Sequence, residues 1–501
     1  MALAEFFNRN ATAVAQVLSQ FEEESFIERL EGAHVGIGFS SAAKHEEGKA
    51  LLDCLVRLLA RLYPSISIRS GRSGERYVAE LTDLARSINP RIETHEHEAL
   101  LEIAVGEGAP VFAPTVFYVG SRGWDALLSV LSPQPVGCTH NPFGAGAAAC
   151  FACANVFRAV FLDEADNLID KELSFSVLER QASLSARNLP LEHLDCDEDV
   201  VLAGVGAIGN GALWALSRLP GAGKVHLVDP QEIERSNLQR YLLTVRSDEG
   251  APKVDVAHRY FAKGIQAECH QVTWASFVET AGYRWRRVLV ALDSARDRRA
   301  VQASLPYWIA NAWTQPGDLG LSTHHFANDG ACLNCLYLPQ GDREHEDAII
   351  ANALGVPERL MQIRALLYQN AGAPRELLGA VAERLQVPEE KVLAFEGRPL
   401  RSLYVEGICG GVVLPLGRVG APRPEVHVPL AHQSALAGIL LAGALVADVL
   451  GVRAPSTLVT RINLLRPLAT YLTQPVQKDS RGICLCQDPD YTRAYQRKYG
   501  E

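Results

Sequence analysis

The segment from Val200 to Asp229 constrains the architecture of this chain more than any other. The apolar run Val200–Ala203 reads as a buried strand; Gly204, Gly206 and Gly209 then form GxGxxG, and an Ala/Leu-rich helix comes next. A second strand, Lys224–Val228, ends on Asp229, at about the twenty-residue spacing that a dinucleotide-type βαβ unit requires. The glycines allow a tight turn and close backbone approach, and the helix N-terminus favours an anionic phosphate. An acid at the tip of the second strand accepts ribose hydroxyls. The unit predicts an α/β domain that binds a nucleotide.

The residues downstream of Asp229 narrow the chemistry. Ser236-Asn237-Leu238-Gln239-Arg240 precedes Pro252-Lys253, and then comes a strand, Arg287–Leu292, that ends on Asp293-Ser294. Hydride transfer has no use for an Arg and a Lys just past the ribose acid. Attack on the α-phosphate of ATP does, because charge builds on the phosphoryl oxygens and the pyrophosphate. Fixed cations and a Mg²⁺ ion held by a carboxylate meet that charge. In these motifs the chain resembles the ThiF/MoeB/ubiquitin-activating superfamily, in which D…SNLxRQ…PK…D is the adenylation site. The resemblance implies that Asp229 binds ribose, Arg240 and Lys253 bind the phosphates, and Asp293 binds Mg²⁺ and ATP. It implies a further polar phosphate contact from Asn237, beside the nucleotide turn of Gly204, Gly206 and Gly209. Tyr241 stands where the family usually has Gln, a mild departure.

Composition bounds the rest. A chain of 501 residues exceeds one hydrophobic core and suggests two or three domains. At 48% hydrophobic and 21% charged residues it is an ordinary globular composition. A net charge of -10, without a long basic run, argues against nucleic acid as a partner. The start MALAEFFNRNATAVAQVL lacks a secretory pattern, and the apolar segment Ser434–Ala447 is too short to span a bilayer. No membrane partner is expected. Eleven cysteines in no small-domain framework fit reduced thiols in a cytoplasmic protein, some of them on metal.

The first half repeats the second in weakened form. Ala33–Ser41 reads as a strand entering a glycine turn, with a helix over Gly48–Leu62 and a strand at Ile66–Ile68 after it. Ser87–Ile92 resembles the "INP" element of the superfamily, and Val116–Gly120 is the next strand. The Ala-rich helix Gly144–Val160 parallels Ser434–Leu450. The first copy has lost its chemistry: Ser41 replaces the third glycine, Arg69 follows the second strand, and the Asp293 position falls near Ser121. The expected fold is α/β, with tandem Rossmann-like adenylation domains, the first degenerate and the second active. These occupy 1–165 and 199–501, joined by a linker over 166–198 that contains a helix. An unrelated α/β domain over the first half is the alternative.

Cys332-x-x-Cys335 and Cys484-x-Cys486 are close pairs far apart in the chain, as in a tetrahedral site that staples two segments. Family resemblance places a structural Zn²⁺ there; four free thiols are the alternative. Cys150 and Cys153 lie in an Ala-rich helical pattern and read as packing residues, while Cys54, Cys138, Cys196 and Cys269 read as packing or incidental thiols.

A helical insertion spans about 340–408, with helices over Glu344–Leu354, Pro357–Gln369, Pro374–Leu385 and Pro388–Phe395. Ubiquitin-activating enzymes carry their catalytic-cysteine region at this place. At its end Cys409 is flanked by glycines, where a thiolate could take an acyl group as a thioester. A buried cysteine opening a strand over Gly411–Leu416 is the other reading. The resemblance implies an activating enzyme for a ubiquitin-like protein that uses ATP and Mg²⁺ and hands the acyl group to a ubiquitin-conjugating-type enzyme. It further implies a pseudo-dimer within one chain. The Arg-rich, Lys-poor composition points to a bacterial source, for which the resemblance implies a ubiquitin-like conjugation system of phage defence. A sulfur-carrier or peptide adenylyltransferase without a thioester step is the alternative. An arginine from the first domain acting across the site is expected, with Arg9 and Arg29 as candidates.

Overall fold

Short apolar runs buried on both faces, such as Val35–Phe39 and Val200–Ala203, become the central parallel strands of two α/β sheets. The computed structural model describes residues 2–18, 21–71, 74–95, 99–162, 165–182, 186–261, 264–316, 318–339, 346–408, 413, 428–452, 457–468 and 472–500. The chain divides into a larger unit (Met1–Glu5, Arg29–Leu338, Pro429–Glu501) and a smaller one (Phe6–Glu28, Pro339–Val428).

The first sheet of the larger unit contains β1 (His34–Phe39), β2 (Ser65–Ser70), β3 (Leu101–Val105), β4 (Thr115–Arg122), β5 (Asp125–Ser129), β6 (Glu172–Ser176) and β7 (Gln181–Ala182). A small parallel pair, β8 (Leu194–Asp195) with β10 (Gly221–Ala222), lies apart from both sheets. The second sheet contains β9 (Val200–Ala203), β11 (Lys224–Val228), β12 (Gln266–His270), β13 (Arg287–Val290), β14 (Trp308–Thr314), β15 (Leu319–His325), β16 (Leu458–Ile462) and β17 (Leu472–Pro475).

The strand orders are β2-β1-β3-β4-β5-β6-β7 and β12-β11-β9-β13-β14-β15-β16-β17. Aligning β1 with β9 superposes the two patterns strand for strand. Each is parallel as far as the equivalent strands β4 and β14, and antiparallel beyond them. Each places one long apolar helix, Phe143–Phe161 or Ala431–Val449, between its antiparallel strands. Even β12 has a trace of a counterpart, where Glu93 bridges Ser65 at the start of β2.

Three expectations change here. The strand beside β1 that corresponds to β13 is β3, which has no place among the strands expected from sequence. The position three residues past that strand, equivalent to Asp293, is therefore Gly108 and not Ser121, which lies inside β4. Residues 172–182 belong to the first sheet as β6 and β7, so the first half does not end at 165 and the linker begins later. The insertion also shares its unit with the N-terminal helix Phe7–Ala15.

Small residues bring the helices of the two halves together. A Cβ at Gly438 would lie 2.2 Å from Ile208 O, and one at Gly146 would lie 2.5 Å from the Trp214 ring. The backbones of Ala431–Val449 and Ala207–Leu216 therefore pack directly, a closeness only glycine permits. The helices Phe143–Phe161 and Ala431–Val449 are each 19 residues and apolar enough to cross a membrane. Length therefore does not exclude a span, contrary to the expectation from Ser434–Ala447. Burial decides instead: 89% and 94% of their most apolar windows are covered inside the fold.

In the smaller unit the expected helices form at Glu346–Ala353, Leu360–Tyr368, Arg375–Leu385 and Glu389–Leu393. Leu354, Ile363, Leu377, Val381, Val392 and Leu403 gather into their own apolar core. Cys409 and the strand expected at Gly411–Leu416 lie outside the described residues, apart from Val413.

Candidate nucleotide and metal sites

The nucleotide turn forms between β9 and the helix Ala207–Leu216. Gly204 sits at φ +97°, which disfavours any side chain, and a Cβ there would lie 2.5 Å from Ala291 O. A Cβ at Gly209 would lie 2.3 Å from Gly204 O, so that glycine lets the helix close onto the strand. Gly206 caps the helix and faces only the Tyr241 hydroxyl, 3.5 Å from its virtual Cβ.

Asp229, buried at the end of β11, accepts Val205 N–H at 2.8 Å on Oδ2 and Gln231 N–H at 2.9 Å on Oδ1. Each oxygen keeps a second lone-pair direction, enough to accept a ribose hydroxyl. Asn237 has work of its own. Its Oδ1 accepts Glu234 N–H at 3.0 Å, capping the short helix Arg235–Gln239, and its amide nitrogen lies 3.5 Å from Ser236 Oγ. That NH₂ group is the part left to meet a phosphate.

Lys253 opens the helix Lys253–His258 and is only 5% exposed. Its Nζ donates to Gln231 Oε1 at 2.6 Å and to Tyr241 Oη at 2.9 Å, and lies 5.1 Å from the centre of the Tyr241 ring. Arg240 stacks its guanidinium 5.5 Å from the same ring and donates to Ser236 O at 3.3 Å. Tyr241 thus organises both cations, a role that its replacement of the family's Gln does not reveal. Gln231 carries no motif either, and sequence reasoning misses both residues. Asp293 is exposed, just past β13 on the same sheet as Asp229.

The loop that carries Arg240 is anchored by the first half of the chain. Arg61, on the helix Glu46–Leu62, donates to Leu238 O at 2.7 Å, Leu242 O at 2.9 Å and Thr244 O at 2.8 Å. Arg57 donates to Leu242 O at 3.2 Å and pairs with Asp53, which also accepts Trp214 Nε1–H at 2.8 Å and Arg218 at 2.6 Å. Burial, with Arg57 close by, pushes the Arg61 pKa down to about 9. The arginines that bridge to the loop are thus Arg57 and Arg61. Arg29 instead donates to Phe161 O, and Arg9 lies in the smaller unit.

In the first half a buried carboxylate at the start of the helix Glu46–Leu62 ties down the turn between β4 and β5. Buried Glu47 accepts from Ser121 Oγ (2.8 Å), Gly123 N (3.0 Å), Thr139 N (3.1 Å) and Thr139 Oγ1 (2.5 Å). Four donors already converge on that charge at the helix start.

The four paired cysteines come together although 149 residues separate Cys335 from Cys484. Sγ separations are 3.9 Å (Cys332–Cys335), 3.5 Å (Cys332–Cys484), 3.2 Å (Cys335–Cys484) and 3.6 Å (Cys335–Cys486). Four thiolates about 2.3 Å from one zinc ion lie about 3.8 Å apart, so the donor set fits after a small expansion. Asn334 Nδ2 donates to Cys484 Sγ at 3.2 Å, itself oriented by Arg299 at 2.9 Å, the kind of outer-shell support that metal thiolates receive. The C-terminal helix Pro489–Tyr499 closes over the cluster with buried Tyr495. Cys150 and Cys153 are buried, and burial pushes both thiols well up, in line with a packing role. Cys138 is exposed, so it does not pack.

Residues 190–470 match the ThiF family model, and the chain belongs to that family, an enzyme class of the ThiF/E1 superfamily. Residues 39–162 match a second model, prokaryotic E2 family C. The chain is similar throughout to the uncharacterized protein y4jF of Sinorhizobium fredii, with 44% identity over 100% of this chain and 98% of that protein. It is 30% identical to the Nedd8-activating enzyme E1 catalytic subunit of Drosophila melanogaster over 26% of this chain and 30% of that one. To the tRNA threonylcarbamoyladenosine dehydratase of Bacillus subtilis it is 34% identical, over 17% of this chain and 32% of that protein.

Proposed function

We propose that this protein activates the C-terminal carboxylate of a ubiquitin-like protein with ATP. The observation that carries this reading is the set Asp229, Arg240, Lys253 and Asp293 around one glycine turn, in a ThiF-family chain similar to an E1 catalytic subunit. Asp229 would hold the ribose, and Arg240 and Lys253 would hold the phosphates in place. The partner's carboxylate oxygen attacks the α-phosphorus, the bond to the β-phosphate oxygen breaks, and pyrophosphate leaves. Asp293 would hold Mg²⁺, which supplies charge neutralisation on the phosphates when bound. Cys332, Cys335, Cys484 and Cys486 would hold a structural zinc ion.

The first half serves as a degenerate adenylation domain. The shared strand order supports that assignment. In the second step Cys409 attacks the acyl carbon, AMP leaves, and the thioester passes to a conjugating enzyme. A second acceptor is favoured by one observation: Cys138 is exposed within the stretch that matches prokaryotic E2 family C. The setting would be a bacterial, cytoplasmic conjugation system of phage defence.

The experiment is partner-dependent ATP–pyrophosphate exchange together with a reductant-sensitive adduct on a gel. Asp293→Ala should abolish exchange, and an unchanged rate in that variant would end the assignment. Cys409→Ala should keep exchange and lose the adduct. Loss in Cys138→Ala alone moves the thioester to the first half. Exchange without any adduct in wild type favours a sulfur-carrier or peptide adenylyltransferase.

A further inference from the structure

At the edge of the second sheet a group of side chains lies outside the nucleotide and cysteine sites. β11 and β12 run parallel with His226 opposite Glu268 and Val228 opposite His270. Side chains two apart share a face, so Glu268 and His270 stand side by side next to His226. His226 Nδ1 is 2.9 Å from His270 Nε2 and 3.9 Å from Glu268 Oε1, and His270 Nε2 is 3.5 Å from the same oxygen. Ligands about 2.0–2.2 Å from a tetrahedral zinc-type ion lie about 3.3–3.5 Å from one another. The three separations bracket that value; the two imidazoles must part, and His226 and Glu268 close, by a few tenths of an ångström.

The surroundings are built as outer shells of metal sites are. Asp199 Oδ2 lies 3.1 Å from His226 Nε2, which fixes the proton on that nitrogen and leaves Nδ1 as a donor of its lone pair. Lys224 Nζ holds the other oxygen of Glu268 at 2.9 Å, presenting Oε1. Phe277 and Trp285 pack 5.8 Å and 5.1 Å from the His226 ring, closing one side with apolar surface.

We infer that His226, His270 and Glu268 form a second metal site, for a borderline divalent ion such as Zn²⁺, with water or another exchangeable donor in the fourth position. The three residues draw on two imidazoles and one carboxylate, the ligand set of open rather than closed zinc sites. Bound there, the ion would tie the edge strand β12 to β11 and, through Asp199, to the chain entering β9.

The test is zinc uptake by the full chain, followed by calorimetric titration with ZnCl₂ and elemental analysis. Wild type should take up two equivalents. Cys484→Ser should keep the histidine-bound one, and His270→Ala should keep only the other. Glu268→Gln, on the exposed strand edge, should weaken the same equivalent if His270→Ala fails to fold. Asp199→Asn should weaken it about 10–100-fold without removing a ligand. The inference is overturned if His270→Ala and Glu268→Gln both bind zinc in the same number and strength as wild type. A single equivalent in wild type that disappears in Cys484→Ser overturns it too, and leaves the cysteine site standing.

Discussion

Replacing Arg61 with Ala tests whether the first half of the chain holds the adenylation loop of the second. The carbonyls of Leu238 and Thr244 lose their donor, while that of Leu242 keeps the Arg57 guanidinium at 3.2 Å. An orphaned buried acceptor costs about 1–3 kcal/mol, so the gross loss for the two is about 2–6 kcal/mol. Against this stands the cost of burying the guanidinium. Its pKa falls from an ordinary 12.5 to about 9, which at about 1.4 kcal/mol per pKa unit is roughly 5 kcal/mol relieved on substitution. The midpoint of the first range and the second figure cancel to within about 1 kcal/mol, so global stability hardly changes. The local effect is larger, because the loop over 238–244 loses three anchors at once while the rest of the fold loses none. Hydrogen exchange by mass spectrometry should therefore show faster exchange over 236–245 in Arg61→Ala, with the urea midpoint nearly unchanged. Pyrophosphate exchange should fall along with it, since Arg240 sits on that loop. Unchanged protection of the loop would refute the anchoring role, and a collapse of the whole fold would show that the burial cost is smaller than this balance requires.

Tyr241→Phe removes the hydroxyl that accepts from Lys253 at 2.9 Å but keeps the ring and the Gln231 contact. One charge-assisted hydrogen bond of about 1.5–3 kcal/mol makes a fall of about 10-fold in kcat for pyrophosphate exchange the expected outcome, and no change would deny Tyr241 its positioning role. Cys484→Ser should lose one equivalent of zinc and lower Tm while leaving ATP binding measurable by calorimetry; full zinc content in that variant would count against the four-cysteine site. His432 is buried in the helix Ala431–Val449, and burial, aided by Arg158, pushes its pKa down to about 3. The unfolded chain takes up that proton near pH ~6.5, so the contribution is fully present above about pH 6.5 and is lost as pH falls toward 3. The slope is up to about 1.4 kcal/mol per pH unit. Stability curves of His432→Gln should be flatter over that window; parallel curves would show that His432 is not held neutral.

Contiguous or evenly spaced residues carry much of this protein's plan. The glycine turn, Asp229 at the end of β11, the SNLQR loop and the helices of the insertion follow from local periodicity and spacing, and they form where expected. The meeting of the two cysteine pairs is legible from the close spacing within each pair. The shared strand order of the two sheets is legible only in outline. The run of β3, Leu101–Val105, is short and holds a buried Glu102, so it gives a weak strand signal and the position equivalent to Asp293 is hard to locate without the sheet.

Long-range packing sets which residues hold those pieces in working order. Arg61 meets Leu238 across 177 residues, Lys253 is held by Gln231 and Tyr241, and His226 meets His270 across 44 residues. None of these contacts has a local signature. A buried arginine is recognised by the carbonyls it satisfies, and strand neighbours are set by sheet register, which depends on how the whole sheet closes. Glu47 is the plainest case: in sequence it is one of two acids opening a helix, and only the return of Gly123 and Thr139 to that helix turns it into a tie between distant segments.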